Sequence, residues 1–268
     1  MLPEGAGRRQ FYVGVDFGRA TRRYPHLQRV QQILHQAYPD LGELAVPAAR
    51  LPAVPRTFRA LRLHALSAEG GVLAGSLFAR ALAAGLDMRV RTYPRGGLEP
   101  SLQSVGLSVL FGPDEIVGDP RRADIVLVAG ANFLDSLPMD CIATGGALVV
   151  TTNQTPEALW NSLTRRTEHW IREHKLRVYS LDARAIAISS GSRHGYMDEL
   201  VVWALLGAGF AIVEPTADCR DAVSQALRDL LAPIYGVSCE LLEAVVSAFD
   251  RGAGEAGEFQ WEQGSGSD

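Results

Sequence analysis

The chain has 268 residues, a formal net charge of −4 and a hydrophobic content of 47%, which is enough to bury a sizeable core. This slightly acidic balance is not that of a nucleic-acid-binding protein. The longest apolar run, residues 200–213, covers roughly two-thirds of the length that a transmembrane helix needs. Composition therefore predicts a protein without nucleic-acid or membrane partners, and the apolar run predicts a buried helix followed by a turn.

Cysteine usage argues against metal binding. The chain contains three cysteines, Cys141, Cys219 and Cys239, and their spacing is not that of a zinc or iron–sulfur site. A few scattered thiols and the lack of a signal-peptide pattern predict a cytoplasmic location. We therefore expect no metal ligands and no cofactor bound by this chain alone.

The arginines are concentrated near the start of the chain. Residues 1–60 carry nine arginines and four acidic residues, a net charge of +5. Within them we predict an extended N-terminal arm over residues 1–59, made of a strand, a helix and a proline-rich linker. An α/β domain is predicted over residues 60–250, and a disordered Gly-, Glu- and Ser-rich tail over residues 251–268.

From residue 61 onward, short apolar strands alternate with helices. Gly85 is expected to stop the first helix, and residues 93–101 to form a turn-rich loop. Strands are predicted at residues 61–66, 88–92, 104–111, 125–129, 147–151 and 177–181, and helices at 72–84, 156–175, 199–206, 221–231 and 240–249.

This order predicts an α/β fold, a three-layer α/β/α arrangement with a mainly parallel sheet and a helical C-terminal region. The connection between the second and third predicted strands is short for a crossover. One antiparallel pair, and so a mixed sheet, is therefore compatible with the pattern.

The most informative pattern is a strand, a glycine turn and an Ala/Leu-rich helix from residue 62 onward. A helix that begins after such a turn offers unpaired N–H groups and a partial positive charge. The glycines do not form Gly-x-Gly-x-x-Gly, and no acidic residue ends the second strand, which argues against a nicotinamide dinucleotide. Glu69 could cap the helix itself. A self-capped turn and a turn where Ser67, Gly70 and Gly71 let a ligand approach both stay open.

The remaining motifs yield no catalytic set. The six histidines accompany no credible serine or cysteine motif, and a Gly-x-Ser-x-Gly elbow is absent. The polar loop at residues 191–195 could contact an anion or be only a loop. Asp182 and Arg184 follow the last predicted strand, where a local salt bridge is the simpler expectation. This profile suits a subunit better than a free-standing enzyme.

A series of short motifs runs along the predicted domain. It comprises Leu-His-Ala-Leu-Ser-Ala-Glu-Gly-Gly at 63–71, Thr-Tyr-Pro at 92–94, Pro-Asp-Glu-Ile at 113–116, Ala-Asp-Ile-Val-Leu-Val at 123–128, Gly-Gly-Ala-Leu-Val-Val-Thr-Thr-Asn at 145–153 and Val-Tyr-Ser-Leu-Asp-Ala at 178–183. In this order the motifs resemble the gamma subunit, or gamma domain, of 2-oxoacid:ferredoxin oxidoreductases, the pyruvate:ferredoxin oxidoreductase family. The resemblance covers residues 60–187, and residues 197–207 and 234–251 resemble later helices of that family.

The resemblance implies a division of labour. Thiamine diphosphate lies between alpha- and beta-type partner subunits, and iron–sulfur clusters in partner subunits pass electrons to ferredoxin. The gamma part lies beside the active site and is implicated in the approach of coenzyme A. This chain would then contribute no catalytic residue. It would help to assemble a hetero-oligomer that oxidatively decarboxylates a 2-oxoacid to an acyl-coenzyme A, or runs the reverse. The positions implied on the coenzyme A side are Ser67, Gly70, Gly71, Tyr93 and Arg95.

Two departures from the family pattern define the alternative. Family members usually carry Gly-x-Gly-Gly-x-Gly at the first turn, where this chain has Ser-Ala-Glu-Gly-Gly. They usually carry Gly-Pro-Glu-x-Arg-Gly-Gly after the second strand, where this chain has only a displaced Arg-Gly-Gly at 95–97. The alternative is a non-catalytic scaffold or regulatory gamma-like subunit that has lost ligand contact. A third hypothesis, a free nucleotide-binding dehydrogenase, would require nicotinamide binding by the isolated chain.

Overall fold

The structure is a computed structural model that describes residues 36–37, 57–66, 70–95, 104–116, 122–138, 141–191, 196–235 and 240–259. The chain divides into two units, Met1–Val54 and Pro55–Asp268. Only Gln36 and Ala37, both helical and exposed, are described in the first unit. The predicted strand, the remainder of the predicted helix and the proline-rich linker of the arm lie outside the described residues.

The second unit contains a seven-stranded mixed sheet. Its order is β2-β3-β1-β4-β5-β6-β7, with parallel pairing from β1 through β4 and β5 to β6 and antiparallel pairing at both sides. The strands are β1 (Arg59–Leu66), β2 (Arg89–Arg95), β3 (Ser104–Gly112), β4 (Ala123–Val128), β5 (Ile142–Thr151), β6 (Arg177–Leu181) and β7 (Gly257–Phe259).

Helices cover both faces of the sheet, so the predicted three-layer α/β fold is confirmed. A 3-10 helix, Ala131–Ser136, follows β4. The α-helices are α1 (Gly71–Leu86), α2 (Pro156–Ser162), α3 (Arg165–Glu173), α4 (Ala183–Ser189), α5 (Met197–Val213), α6 (Ala217–Tyr235) and α7 (Glu240–Glu255).

Helix α5 is the centre of the larger helical layer. Every residue from Leu200 to Phe210 is buried, as predicted, but the helix continues to Val213, where the sequence predicts a turn after residue 206. A Cβ on Gly209 would lie 2.8 Å from Leu127 Cδ2 and 3.0 Å from Leu61 Cδ1, so α5 packs closely on β4 and β1. Helices α1, α4, α6 and α7 share this hydrophobic core. No helix in the described ranges is long and apolar enough to cross a membrane.

The opposite face is covered by α2 and α3 at β5 and β6. Leu159, Trp160 and Ile171 enclose a small cavity with Leu148, Val150 and Val178 of the sheet. Trp170 of α3 and Trp203 of α5 are buried core residues, and the Arg172 guanidinium lies 5.5 Å from the centre of the Trp160 ring. Trp170 and Trp203 therefore anchor the core, each in its own helical layer.

The single helix predicted over residues 156–175 is wrong, because the chain forms two. Leu163 is extended, with φ −68° and ψ 148°, and Thr164 caps α3 by accepting a hydrogen bond from the Thr167 N–H at 3.3 Å. The hydroxyls of Thr164 and Thr167 both donate to Asp135 Oδ1, at 2.7 and 2.6 Å. This network attaches α3 to the 3-10 helix and favours a new helix start over continuation.

Two boundaries near β2 also differ from the prediction. Helix α1 continues through Gly85 to Leu86. A Cβ at Gly85 would lie 2.7 Å from Ala222 O of α6, so glycine is required there by the approach of α6. Gly85 therefore permits close helix packing and does not end the helix. Strand β2 continues through Pro94 to Arg95, although residues 93–101 are predicted as a loop. Since β2 is an edge strand, it tolerates proline.

Strand pairing and the C-terminal segment extend the predicted pattern. Three antiparallel pairs form, β1–β3, β2–β3 and β6–β7, where the sequence indicates one. Residues 251–259, predicted to begin a disordered tail, continue α7 to Glu255 and then form β7. Tyr179 Oη donates to Glu258 Oε2 at 3.1 Å and so fastens β7 to β6.

Candidate functional site

The parallel strands β1, β4, β5 and β6 all end at the same edge of the sheet. From β1 the chain passes through α1 to β2, which lies toward one end of the strand order. From β4 it passes to β5, which lies toward the other end. The crevice between the ends of β1 and β4 is therefore a topological switch point, where α/β proteins usually bind ligands. The glycine turn lies at this crevice.

Gly70 and Gly71 give the turn its shape. Gly70 has φ 67° and ψ 13°, a left-handed conformation that favours glycine, and its carbonyl accepts the Ala74 N–H at 2.9 Å. A Cβ on Gly71 would lie 3.1 Å from Ala65 Cβ, so glycine brings α1 close to the end of β1. The first N–H groups of α1 have no partner within the helix, and they define a potential site for an anionic group.

The first turn of α1 also carries an apolar surface. Val72 is 38% exposed and Leu73 is 60% exposed, although both are large hydrophobic residues. No acidic side chain lies in this turn. Ser67 and Glu69, which precede Gly70, lie outside the residues that the structure describes. The self-capped turn proposed for Glu69 therefore stays a prediction.

A second loop faces the crevice after β4. The Ala129 N–H donates to the His64 carbonyl at 2.9 Å, which joins the end of β4 to β1. Gly130 is extended and leads into the 3-10 helix, whose second residue, Asn132, is exposed. Asn132 is a polar side chain at the switch point that the motif analysis did not select. The signal available in the sequence was its position just after a wholly apolar strand.

The structure describes four of the five residues predicted on the coenzyme A side, and they fall into two groups. Gly70 and Gly71 lie at the turn, and α1 packs on the sheet face that carries Leu63 and Ala65. Tyr93 is half-buried and pairs with Ser108, which pairs in turn with Arg62. Paired residues share a face, and Arg62 alternates with Leu63, so Tyr93 lies on the opposite face.

Arg95 is the last residue of β2, and its backbone pairs with Gly106. Gly106 pairs in turn with His64, so this register position is close to the edge that carries the glycine turn. Gly70 and Gly71 therefore lie at this edge and Arg95 near it, whereas Tyr93 lies further into the sheet, level with Arg62.

A buried polar group that the sequence patterns do not predict lies on the face of Tyr93. Arg62 and Ser108 are buried, and Arg62 Nε donates to Ser108 Oγ at 3.2 Å. His64 is only 9% exposed, and its Nε2 has no hydrogen-bond partner among the residues that the structure describes. Burial, together with the positive charge of Arg62, lowers the pKa of His64 from 6.5 to about 4. The alternation Leu61, Arg62, Leu63, His64 indicates one polar face, but not that this face is buried.

Other candidate residues have structural roles. Asp182 Oδ1 accepts the Ala185 N–H at 2.9 Å and caps α4, so the expected salt bridge with Arg184 gives way to a helix cap. Residues 192–195 of the polar loop lie beyond the described ranges. In the described part of the chain, no group of three or more His, Cys, Asp or Glu side chains could hold a metal ion. An iron–sulfur cluster held by four thiolates does not fit a chain with three cysteines.

The edge therefore supplies backbone donors, small residues and an apolar patch, without a nucleophile or a metal centre among the described residues. Such an arrangement has the chemistry to bind or position a molecule, and the domain is of the α/β class with a mixed sheet. The family model "Pyruvate ferredoxin/flavodoxin oxidoreductase" matches residues 60–255. The chain belongs to this family, as the resemblance implies.

Solved structures show the same fold. The chain matches pyruvate oxidoreductase subunit PORC from Thermotoga maritima with a TM-score of 0.56 and 19% identity, covering 76% of this chain and 100% of that one. It matches the gamma subunit of a keto/oxoacid ferredoxin oxidoreductase from Geobacter sulfurreducens with a TM-score of 0.51 and 16% identity, covering 75% and 99%.

A third match is a longer chain, the 2-oxoglutarate:ferredoxin oxidoreductase from Magnetococcus marinus, solved with 2-oxoglutarate, coenzyme A and succinyl-CoA bound. Its TM-score is 0.53 at 16% identity, and the match covers 74% of this chain and 31% of that chain. Comparison with curated proteins gives no match.

Proposed function

We propose that this chain is a gamma-type subunit of a multisubunit 2-oxoacid:ferredoxin oxidoreductase. The observation that carries the proposal is the family match over residues 60–255, together with the full-length coverage of two separate subunits of this kind. The complex would oxidatively decarboxylate a 2-oxoacid to an acyl-coenzyme A, or run the reverse. Alpha- and beta-type partner subunits would hold thiamine diphosphate and the iron–sulfur clusters, and ferredoxin would accept the electrons in the cytoplasm.

In this proposal the chain forms one wall of the coenzyme A cleft and contributes no catalytic acid, base or nucleophile. Gly70 and Gly71 support this role because Gly70 adopts the left-handed conformation of the turn and places no side chain in front of the first N–H groups of α1. Ser67, Tyr93 and Arg95 are proposed on the same edge of the sheet. The negative charge of coenzyme A phosphates would be stabilised by the helix N-terminus and by an arginine.

A specific observation favours the second candidate, a non-catalytic scaffold or regulatory subunit. Val72 and Leu73 expose apolar side chains on the turn that a phosphate would approach. Exposed apolar surface of this kind is better suited to a protein partner than to a phosphate. In this alternative, α1 binds a partner subunit and the edge has lost contact with coenzyme A.

The two candidates differ in their response to charge reversal at Arg95. We expect Arg95→Glu, in the assembled complex, to raise the KM for coenzyme A at least about fivefold, since a 1 kcal/mol loss of binding changes an equilibrium roughly fivefold. Arg91→Glu is the matched control, because Arg91 is an exposed arginine of the same strand. An unchanged KM for coenzyme A in both variants, with assembly intact, would favour the scaffold candidate over contact between Arg95 and coenzyme A.

A further inference from the structure

A cleft of about 240 Å³ opens at the amino-terminal edge of the parallel strands, opposite the glycine turn. Its walls come from the starts of β1, β4, β5 and β6 and from the last residue of α5. This volume is many times what a single bound water molecule requires. It is therefore large enough for a small organic molecule, and the proposed function does not use it.

Strand β5 builds the cleft by looping away from β4. Ala123 pairs with Ile142 and Ile125 pairs with Ala147, so residues 143–146 of β5 lie opposite Asp124 alone. Gly145 has φ 75°, a left-handed conformation, and its N–H donates to His174 O at 2.8 Å. A Cβ on Gly146 would lie 2.8 Å from Asp124 O, so this loop is set tightly against the start of β4.

Two arginines flank the cleft from opposite sides. Arg59 begins β1 and Arg177 begins β6, and both strand positions belong to the face on which α5 packs. Three inter-strand spacings, about 14 Å, separate the two strands. The Asp124 carboxylate between them is already engaged, because its Oδ2 accepts the Ala60 N–H at 2.8 Å. The lining of the cleft thus carries two exposed positive charges against one committed negative charge. The Glu258 carboxylate also lies near Arg177, since both contact the Tyr179 hydroxyl.

The floor between the arginines is apolar. Ile125, Ala143 and Val213 line the cleft between its charged ends. A compact anion such as phosphate would leave these side chains without contact. A molecule with a carboxylate at each end and methylene groups between them matches both the charges and the floor, and guanidinium groups bind carboxylates with two parallel hydrogen bonds.

We propose that this cleft binds a small organic dicarboxylate, with Arg59 and Arg177 each contacting one carboxylate. Arg177 Nη1 is 3.4 Å from Tyr179 Oη, a long hydrogen bond that uses one of its five N–H donors. The site does not depend on the proposed function, since it lies at the other edge of the sheet from the glycine turn.

A simpler explanation for Arg59 and Arg177 is that they only stabilise the C-terminus of α5. Val213 ends α5, and the carbonyls at a helix C-terminus carry partial negative charge, which attracts cations. If this were the only role, removing an arginine would lower stability without any effect on ligand binding. Binding and stability must therefore be measured on the same variants.

The experiment is calorimetric titration of the full chain with malonate, succinate, glutarate, adipate, acetate and inorganic phosphate. We expect saturable binding of one or more dicarboxylates of intermediate length, and at least tenfold weaker binding of acetate and phosphate. Arg59→Gln and Arg177→Gln should each weaken dicarboxylate binding at least tenfold. Arg184→Gln, an exposed arginine at the opposite edge, should leave it unchanged.

Three results would overturn the proposal. One is that no dicarboxylate binds saturably, and another is that Arg59→Gln and Arg177→Gln bind as the parent does. The third is that phosphate binds as tightly as the best dicarboxylate, which would make the cleft a general anion site. Thermal unfolding of each variant without ligand shows whether a loss of binding comes from a loss of fold.

Discussion

Gly207 of α5 and Gly252 of α7 bring these two helices into backbone contact. A Cβ on Gly207 would overlap the main-chain carbonyl of Phe249, and a Cβ on Gly252 would overlap that of Ala204. The relationship is reciprocal, since each glycine faces the main chain of the other helix. It places α7 against α5, and through α5 against β1 and β4, whose ends form the candidate site.

Replacement of either glycine by alanine should destabilise the fold. The added methyl group meets backbone, which cannot move aside as a side chain can. Overpacking of this kind costs about 1–3 kcal/mol or more. We expect Gly207→Ala and Gly252→Ala each to lower the free energy of unfolding by at least about 2 kcal/mol in urea titrations.

Gly254→Ala is the matched control in α7. Within the described ranges, a Cβ at Gly254 would have no heavy atom closer than 4 Å, so the substitution should be neutral or stabilise the helix by about 0.5–1 kcal/mol. Equal losses for Gly252→Ala and Gly254→Ala would contradict the packing described for α5 and α7.

His64 should make stability depend on pH. In the unfolded chain its pKa is near 6.5, whereas burial lowers the pKa in the folded chain to about 4. Between these values the unfolded state binds more protons, so acidification favours unfolding. The stability that depends on a neutral His64 is fully present above pH 6.5 and is lost as the pH falls toward 4. The total loss is up to about 3 kcal/mol.

The measurement is the free energy of unfolding at pH 7 and at pH 4.5 for the parent and for His64→Gln. We expect the parent to lose about 2–3 kcal/mol more than the variant over this interval. His169→Gln is the control, because the His169 side chain is 81% exposed. If His64→Gln and the parent lose the same stability, His64 is not the buried neutral group that the structure describes.

Thr164 should contribute more to the free energy of unfolding than a helix cap alone does. Thr155 and Thr164 each cap a helix, α2 and α3, by accepting a backbone N–H at 3.3 Å. Only Thr164 also donates to Asp135. We expect Thr155→Ala to cost about 1 kcal/mol and Thr164→Ala about 2 kcal/mol in urea titrations. In an Asp135→Ala background the two losses should become similar, and a difference that persists would rule out the network.

Local patterns predicted the fold where burial and periodicity agree. The apolar strand β4, the strand β6 and the buried helix α5 follow directly from their sequences. The break at Leu163 was missed because its cause is a contact with Asp135, which is distant in the sequence. The role of Gly85 was missed for the same reason, since it depends on Ala222 of another helix.

The candidate site was predictable in part. The glycine turn and its position after β1 came from the sequence, because turn residues and strand ends are local features. The burial of Arg62 and His64 was not predictable, since strand alternation shows which residues share a face but not what covers that face. Asn132 enters the site only through the neighbouring positions of β1 and β4.

The central claim is tested most directly by tagging this chain in its native host, purifying it under anaerobic conditions and identifying what accompanies it. We expect alpha- and beta-type subunits in fixed ratio with the chain, and coenzyme A-dependent oxidation of a 2-oxoacid with ferredoxin as acceptor. Recovery of the chain without such subunits, or full activity of the complex in a host that lacks the chain, would contradict the proposed function.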